Sequence, residues 1–395
     1  FDLSSEDRSS MEFNLKSELL SLQEVLFEKE NRGILFQHDT IKDNDIHDFL
    51  DNDEAILSFL SGEFFSIGVM YKRGMTYLMP LSLSRTGFNN MSGIIKNSFS
   101  DPNQPLPYKE LSKLREIFIN GFDLEGIKSL YIVTDEIFSG FPFHSLYKDS
   151  TKKWIIDEYN VSYLSGEKLL LYLDKRKISK KDSFLGFANP VLNKSNLENQ
   201  IEEFFSERGD LAIEKISQLN ELPETEKELL NISKYFKNSS LYFQNNATEN
   251  NLFNNASNKF DFIAFATHSV SGLSKFYNDR GLVLTPINSD LHNNDGFLSS
   301  GEIKTLNLDT NPTILLTACN TIESQYYLAL PYSGLASSFM EAGANGVLLS
   351  LWNVNNESSS ELNQGIFKNR KDLYFSEALR DSIINLKSKE KYSHP

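Results

Sequence analysis

The sequence of 395 residues contains a single cysteine, Cys319. An intrachain disulfide therefore cannot form, and a zinc site built from several cysteines is excluded. Such scarcity is typical of proteins from a reducing compartment, so we expect a cytoplasmic location. The single thiol remains available as a nucleophile.

Positive charge is also scarce, with 39 Lys and Arg against 54 Asp and Glu and a net charge of -15. Binding to nucleic acid or to an anionic membrane depends on clustered basic residues. The composition thus argues against direct nucleic-acid binding and against a membrane partner. The hydrophobic content of 40% supports a folded core.

Long apolar runs are missing as well, since none approaches the roughly 20 residues that a membrane-spanning helix requires. The first residues, FDLSSEDRSS, have neither the basic nor the apolar part of a signal peptide. The chain begins without Met, which suggests a fragment of a longer protein.

Apolar patterning predicts most elements of the first half. Residues 11–29 and 108–118 have the periodicity of amphipathic helices, and 167–177 are also expected to be helical. Strands are predicted at 54–60, at 65–71 and 77–80 (a hairpin turning near 72–74) and at 129–133, and one strand or a strand pair is predicted across 154–164. The basic, polar stretch 174–182 marks a boundary, which divides the chain into regions 1–180 and 181–395.

The second region alternates strands and helices. Strands are predicted at 184–188, 261–266, 313–317 and 346–351, and helices at 223–236 and 332–342, with Thr225 as N-cap of the former and Glu228 at the capping-box spacing. The strands are continuous apolar runs, which is typical of a parallel sheet covered on both faces. We therefore expect a doubly wound α/β fold.

Two of these strands end in reactive residues, His268 after DFIAFAT and Cys319 after TILLTA. Ligands of doubly wound sheets bind at the carboxyl ends of the strands, so both side chains are expected at one edge. A thiolate is the effective nucleophile, and an imidazole beside it lowers the thiol pKa and protonates the leaving amine. Taken alone, each residue is more often structural, because an isolated cysteine usually behaves as a small buried hydrophobe. The other histidines are scattered without metal-ligand spacing, and no metal or other cofactor is expected: His38, His47, His144, His292 and His394.

The second region also resembles a known family. It contains, in order, FLGFANP, LPETEKEL, ATENNLF, FIAFATHS, GFLSSGEI, ILLTACNT, GLASSFMEAGANGVLLSLWNV and SEALRDS; the first region adds LYIVTDEIFSGFPFHSLY and WIIDEYNVSYL. These segments resemble the CHAT family of caspase-like (clan CD) cysteine peptidases, relatives of separase and caspases, over roughly residues 50–395. His268 precedes Cys319 by 51 residues, close to the spacing of about 50 in caspases.

The resemblance implies a catalytic caspase-like domain at 181–395, preceded by a degenerate caspase-like α/β half. It also implies a His268–Cys319 dyad and an oxyanion hole formed by the backbone N–H groups of Cys319 and of Ser269 or Val270. The chain departs from its relatives at Ser269, where Gly often follows the histidine. It departs again at residues 355–356, where two Asn replace an acidic residue. Its sequence also ends earlier than those of its relatives, at KYSHP.

Substrate contacts are predicted on both sides of the site. Relatives bind substrate as an added strand, which assigns substrate binding to Ser350, Leu351, Trp352 and Asn353. Trp352 is a candidate pocket wall, or alternatively an ordinary core aromatic. Asp135, like its neighbour Glu136, is a candidate for selecting a basic substrate side chain, or alternatively part of a surface turn.

The predicted function is an endopeptidase that cleaves a specific protein partner at one or few sites. The family is often linked to tetratricopeptide repeats, and some members serve bacterial immunity in CRISPR-associated complexes or by activating gasdermin-like proteins. A regulatory protein or ribonucleoprotein is therefore a further expected partner, and loops 269–279 and 322–331 are expected to be ordered by it. One alternative is a catalytically silent scaffold. Another is a glutamine amidotransferase or transglutaminase, although in those enzymes the Cys usually precedes the His.

Overall fold

The computed structural model describes residues 43–135, 137–167, 169–170, 182–192, 219–256, 260–271, 280–287, 296–317, 334–352, 356–370 and 375–392. All of them belong to one of the two compact units into which the chain divides, Lys42–Pro395. The predicted helix 11–29 lies outside the described residues, as does most of the predicted helix 167–177. No helix among the described residues has the length and apolar character needed to span a membrane.

The N-terminal half contains a mixed five-stranded sheet of order β3-β2-β1-β4-β7. The first three strands form an antiparallel meander, whereas β4 and β7 run parallel to β1. The predicted hairpin is confirmed, because β2 and β3 pair from Ser66–Leu81 to Lys72–Met75. The elements of this half are α1 (Asp43–Phe49), β1 (Glu54–Leu60), β2 (Ser66–Lys72), β3 (Met75–Leu81), α2 (Arg85–Ser100), α3 (Tyr108–Phe118), β4 (Ser129–Thr134), β5 (Tyr147–Lys148), β6 (Lys153–Trp154), α4 (Ile155–Glu158) and β7 (Asn160–Leu164).

An aromatic core holds this half together. Helix α3 buries Leu111, Leu114 and Phe118, whose spacing places them on one face of the helix. Phe118 lies edge-on to Phe59 of β1, with ring centroids 4.9 Å apart. Further buried rings surround this pair: Phe88, Phe138, Phe141 and Phe143.

The C-terminal half contains a five-stranded sheet of order β9-β8-β10-β14-β15, and every neighbouring pair is parallel. Helices alternate with its strands, so the predicted α/β fold with a parallel sheet is confirmed. Its strands are β8 (Ser183–Ala188), β9 (Asn238–Phe243), β10 (Phe262–Ala266), β14 (Thr313–Leu316) and β15 (Gly346–Leu349); the helices are α5 (Pro223–Ser233), α6 (Glu249–Ala256), α7 (Ser300–Thr305), α8 (Leu335–Glu341), α9 (Asn356–Asn369) and α10 (Phe375–Lys387).

A small antiparallel sheet, which the sequence did not predict, adjoins the end of β10. It consists of β11 (Ser269–Ser271), β12 (Arg280–Val283) and β13 (Phe297–Ser299). Strand β11 begins three residues after β10 ends, so the turn between them contains only Thr267 and His268.

Two local predictions are wrong. Thr225 is not the N-cap of α5: the helix begins at Pro223 with Leu222 as N-cap, because proline lacks an N–H and suits the first helical position. The Thr225 hydroxyl instead donates to the Leu222 carbonyl at 2.6 Å. Residues 154–164 form neither one continuous strand nor two strands paired with each other: β6 pairs with β5 and β7 with β4. Between them, Ile155–Glu158 form a helical turn that begins where Asp157 accepts from the Trp154 N–H at 2.9 Å.

Candidate active site

The centre of the parallel sheet positions the predicted histidine. Strand β10 lies between β8 and β14, with Phe265 opposite Leu316. The ladder extends one residue further, because the Thr317 N–H donates to the Phe265 carbonyl at 3.1 Å. His268 follows two residues after β10, at the carboxyl edge where ligands of such sheets bind. Cys319 lies outside the described residues.

The His268 side chain is buried, with 2% of its surface exposed. Its Nε2 atom lies 2.7 Å from the backbone oxygen of Asn220. A carbonyl oxygen only accepts hydrogen bonds, so Nε2 carries the proton, and in the neutral ring Nδ1 carries the lone pair. Asn220 therefore selects a tautomer in which Nδ1 is able to accept a proton. No local sequence pattern indicates this contact, because 48 residues separate the two partners.

The small sheet fixes the backbone on the other side of His268. The Val283 N–H donates to the His268 carbonyl at 2.8 Å, and the Thr267 hydroxyl donates to the Val283 carbonyl. Antiparallel pairs alternate between hydrogen-bonded and non-hydrogen-bonded positions. Ser269, opposite Leu282, therefore occupies a non-hydrogen-bonded position, and its main-chain N–H points away from β12.

Two buried hydroxyls lie at this edge. The Oγ atom of Ser269 and the Oγ1 atom of Thr317 are both inaccessible to solvent, and neither has a partner among the described residues. Native proteins satisfy most buried polar groups, and the exceptions call for an explanation. These two atoms follow the central strands β10 and β14, at the edge predicted for catalysis.

Three of the predicted substrate-binding residues directly follow β15. Strand β15 is the edge strand of the parallel sheet among the described strands, and Ser350, Leu351 and Trp352 come next. All three are partly buried. Asn353 lies outside the described residues.

Trp352 packs against the N-terminal half of the chain. Its ring centroid is 5.1 Å from that of Phe99 at the end of α2. The His144 ring stacks on it with a centroid distance of 6.0 Å and an interplanar angle of 19°. The indole thus joins the predicted substrate edge to the N-terminal half, through two residues that the sequence did not single out.

His144 is held in a neutral form at this contact. Its Nδ1 lies 2.9 Å from the hydroxyl of Tyr163. Desolvation lowers the pKa of His144 to about 4. The imidazole beside Trp352 is therefore uncharged at neutral pH, which suits stacking on an aromatic ring.

Asp135 occupies a different environment from the one predicted for a substrate contact. One carboxylate oxygen accepts from the N–H of Ser61 at 2.6 Å and from its hydroxyl at 2.5 Å. The other accepts from the N–H groups of Ile137 and Phe138, both at 3.1 Å. Four donors therefore hold this side chain, and the arrangement favours the alternative of a structural turn.

Comparisons with known proteins place these observations in context. The family described as CHAT domain matches residues 109–395. A comparison with curated proteins found no match. Among solved structures, the Saccharomyces cerevisiae separase–securin complex is similar to this chain with a TM-score of 0.50 and 11% identity, covering 85% of this chain and 29% of that one. The Arg-specific cysteine proteinase gingipain R has a TM-score of 0.42 and 10% identity, covering 86% of this chain and 74% of that one.

Proposed function

The chain belongs to the CHAT domain family, and on this premise we propose that it is a cysteine endopeptidase with Cys319 and His268 as its catalytic dyad. Its fold is that of caspase-like peptidases. The observation that carries the proposal is the strand register. Phe265 and Leu316 lie opposite each other on neighbouring parallel strands, and His268 and Cys319 each follow three residues later in the sequence.

In the proposed reaction, His268 accepts the thiol proton while the sulfur of Cys319 attacks the scissile carbonyl carbon. The C–N bond then breaks, and the leaving amine takes the proton from the imidazolium. Water hydrolyses the resulting thioester, which releases the acid and regenerates the thiol. The Asn220 carbonyl supports both steps, since it holds the ring in place and interacts favourably with the imidazolium.

Backbone groups at the same edge would stabilise the tetrahedral intermediate. The Ser269 N–H is directed away from the β11–β12 ladder, which supports its role as an oxyanion donor. The Cys319 N–H is the second proposed donor. A preorganised donor of this kind is worth roughly 2.7–4 kcal/mol in the transition state.

Substrate binding is proposed at the edge strand β15. An extended peptide is expected to pair with the main chain beyond Leu349, with Ser350, Leu351, Trp352 and Asn353 contacting its side chains. The contacts of Trp352 with the tilted Phe99 ring and the stacked His144 ring support a rigid wall for one pocket. We keep Asp135 out of this pocket because its carboxylate is already bound by four donors.

A protein substrate or regulator is the expected partner. The separase similar to this chain is solved in complex with securin, which supports a protein partner here as well. An upstream repeat or sensor module, a ribonucleoprotein partner, a role in bacterial immunity and a cytoplasmic location rest on the family resemblance and composition alone. Of the loops 269–279 and 322–331, which we expect a partner to order, only residues 269–271 are described, and they form β11.

The test is cleavage-site profiling of a peptide library by mass spectrometry with the full chain, alone and with its cognate partner. We expect cleavage at a restricted set of sequences that disappears in Cys319→Ala. Cleavage that persists in this variant would contradict the dyad. Absence of cleavage from the wild type under both conditions, with its thiol no more reactive than a free cysteine, would favour the silent scaffold.

A further inference from the structure

The Asn220 carbonyl orients the His268 ring, but regular secondary structure does not set its own position. Asn220 lies in the segment 219–222, which precedes α5 and belongs to no helix or strand. A group that orients another side chain is effective only when its own place is fixed. The contacts that hold this segment therefore decide whether the ring keeps its tautomer.

One such contact comes from Asn189, which directly follows β8 at the carboxyl edge of the parallel sheet. Its side-chain Oδ1 accepts from the Leu222 N–H at 2.9 Å. The Leu222 carbonyl accepts from the N–H and the hydroxyl of Thr225, at 3.0 and 2.6 Å. Leu222 is thus tied to α5 on one side and, through Asn189, to the sheet that leads to His268 on the other.

The other end of the Asn189 amide is bound as well. Its Nδ2 donates to Oε1 of Glu226 on α5 at 2.7 Å, and the Gln244 side chain donates to the same oxygen at 2.8 Å. Because a backbone N–H only donates and a carboxylate accepts, the two partners of the amide determine which of its ends carries the oxygen. Leu222 and Glu226 together therefore set the orientation of the amide.

The backbone at Asn189 restricts which residues suit this position. Its φ of 47° lies in the left-handed region, which favours Gly, Asn and Asp. Glycine would fit the backbone but offers no side-chain contact. Aspartate would keep the acceptor for Leu222 and lose the donor for Glu226. Asparagine meets all three requirements, and Asn189 is buried, so water does not readily replace a lost contact.

A second asparagine of the same sheet provides a comparison. Asn311 has a similar backbone, with a φ of 51°, and its Nδ2 donates to the Gly343 carbonyl at 2.8 Å. It lies two residues before β14, at the amino edge of the sheet, whereas Asn189 and His268 follow strands at the carboxyl edge. Asn311 is therefore a matched control, with the same residue type and backbone region at the opposite end of the strands.

We propose that Asn189 is a positioning residue for the proposed reaction. By holding Leu222, it keeps the Asn220 carbonyl against Nε2 of His268 and so maintains the tautomer with the lone pair on Nδ1. Glu226 orients the Asn189 amide for this task. Asn189 acts through the segment and not by contact with the reacting atoms. Its effect on turnover rests on the proposed function, whereas its effect on the His268 ring does not.

The first readout is the tautomer of His268 in the full chain, measured at pH 8 by proton–nitrogen correlation NMR of the histidine rings and assigned with His268→Ala. The wild type should show the Nε2–H form. Asn189→Gly, which keeps the left-handed backbone and removes the amide, should convert this form into a mixture of both tautomers. Asn311→Gly, the control, should leave the ring unchanged.

A charge swap tests the amide without removing the side chain. Asn189→Asp places two carboxylates against each other and should disturb the ring as Asn189→Gly does. Glu226→Gln alone still accepts from Asn189 and should behave as the wild type. The two changes combined restore a donor and an acceptor, so the double variant should recover the Nε2–H form.

The proposal is overturned if the wild-type tautomer persists in folded Asn189→Gly and Asn189→Asp, or if Asn311→Gly changes the tautomer equally. A double variant that does not recover the Nε2–H form would overturn the role of Glu226. A residue with a merely structural role would alter stability without producing this pattern in the ring.

The second readout connects the ring to the reaction. For a peptide from the profiling experiment, kcat should fall roughly 10- to 100-fold in Asn189→Gly with KM nearly unchanged, because a misplaced ring slows the chemical step. Asn311→Gly should retain both values. A changed tautomer with wild-type kcat would overturn the positioning role. Should the wild type cleave no peptide, the proposed function fails, while the tautomer measurements still decide whether Asn189 holds the ring.

Discussion

The two five-stranded sheets of this molecule differ at the carboxyl ends of their central parallel strands. In the N-terminal sheet, β4 is followed by Asp135, whose carboxylate accepts four hydrogen bonds from its own surroundings. In the C-terminal sheet, β10 is followed by His268, and the nearby hydroxyls of Ser269 and Thr317 are buried without partners among the described residues.

We expect this difference to distinguish a structural edge from the edge proposed for catalysis. Where the side chains are satisfied internally, little remains to bind a ligand. Where buried polar groups remain unsatisfied, a ligand or reacting group is the natural partner. The two halves share a layered α/β architecture, so the proposed division of roles depends on a few residues at strand ends and not on the fold itself.

The largest expected effect comes from removing the proposed dyad. Cys319→Ala and His268→Ala should each lower peptide turnover by roughly 10³-fold or more, and the double variant should lose little beyond either single change. Steady-state turnover of a peptide from the profiling experiment measures this. Asp135→Ala, at the edge of the N-terminal sheet, serves as the control. As long as this variant is folded, it should retain peptide turnover. Comparable losses in all three variants would remove the distinction between the two edges.

The free energy of unfolding, unlike turnover, should depend strongly on Asp135. Asp135→Ala leaves the N–H groups of Ser61, Ile137 and Phe138 without their acceptor and should lower the free energy of unfolding by about 2–4 kcal/mol. Urea denaturation measures the change. The matched control is Asp149→Ala, which removes only the exposed ion pair with Lys152 and should cost less than about 0.5 kcal/mol. Equal costs at the two positions would mean that the Asp135 turn has no structural role.

Glu228, in the C-terminal half, should make the free energy of unfolding depend on pH. Burial between α5 and α9 raises the pKa of this carboxyl from 4.5 to about 7, although Asn363 donates to it at 2.8 Å and partly opposes the shift. The folded state therefore holds a proton that the unfolded state has lost, and stability falls as pH rises from about 4.5 to 7. Glu228→Gln should raise the free energy of unfolding at pH 8 by up to about 3 kcal/mol and change little at pH 4.

The control for this variant is Glu116→Gln, at an exposed position of α3. Its stability curve should follow that of the wild type across the same range. A Glu228→Gln protein that is less stable than the wild type at pH 8 would show that the buried charge is stabilised by contacts that glutamine cannot make.

His144 should show the smallest effect, with the opposite sign. Because its pKa is lowered from 6.5 to about 4, the folded state resists protonation, and stability falls as pH drops from about 6.5 to 4. His144→Phe keeps a ring against Trp352 and removes the titration. The variant should therefore lose about 1 kcal/mol less than the wild type between pH 7 and pH 5, a figure reduced for the partial exposure of the ring. Identical acid sensitivity in both proteins would mean that His144 is readily protonated.

The sequence predicted the fold well where burial leaves a simple pattern. The apolar runs of β1, β8, β10 and β14 define strands within one residue at either end, because a strand buried on both faces admits few polar residues. Local hydrogen bonds explain the failures. The turn of α4 depends on Asp157 accepting from Trp154, and the start of α5 depends on Pro223, both of which override the broader pattern.

The candidate site was predictable only in part. His268 could be found because it ends an apolar strand, a signal carried by adjacent residues. Asn220 and His144 carried no such signal, since each acts through a partner distant in sequence: His268 in one case, Trp352 in the other. The satisfied state of Asp135 was equally hidden, because Ser61 lies 74 residues away. Contacts of this kind follow from tertiary structure and leave no periodic pattern.

The alkylation rate of Cys319 tests the proposed dyad directly, and the label is unambiguous because Cys319 is the only cysteine in the chain. Iodoacetamide labelling followed by intact mass should be at least tenfold faster for the wild type than for His268→Ala at pH 6, because an adjacent imidazolium favours the thiolate. The two rates should converge at pH 9.5, where both thiols ionise. Equal rates at pH 6, matching a small free thiol, would contradict a dyad at the edge of the C-terminal sheet.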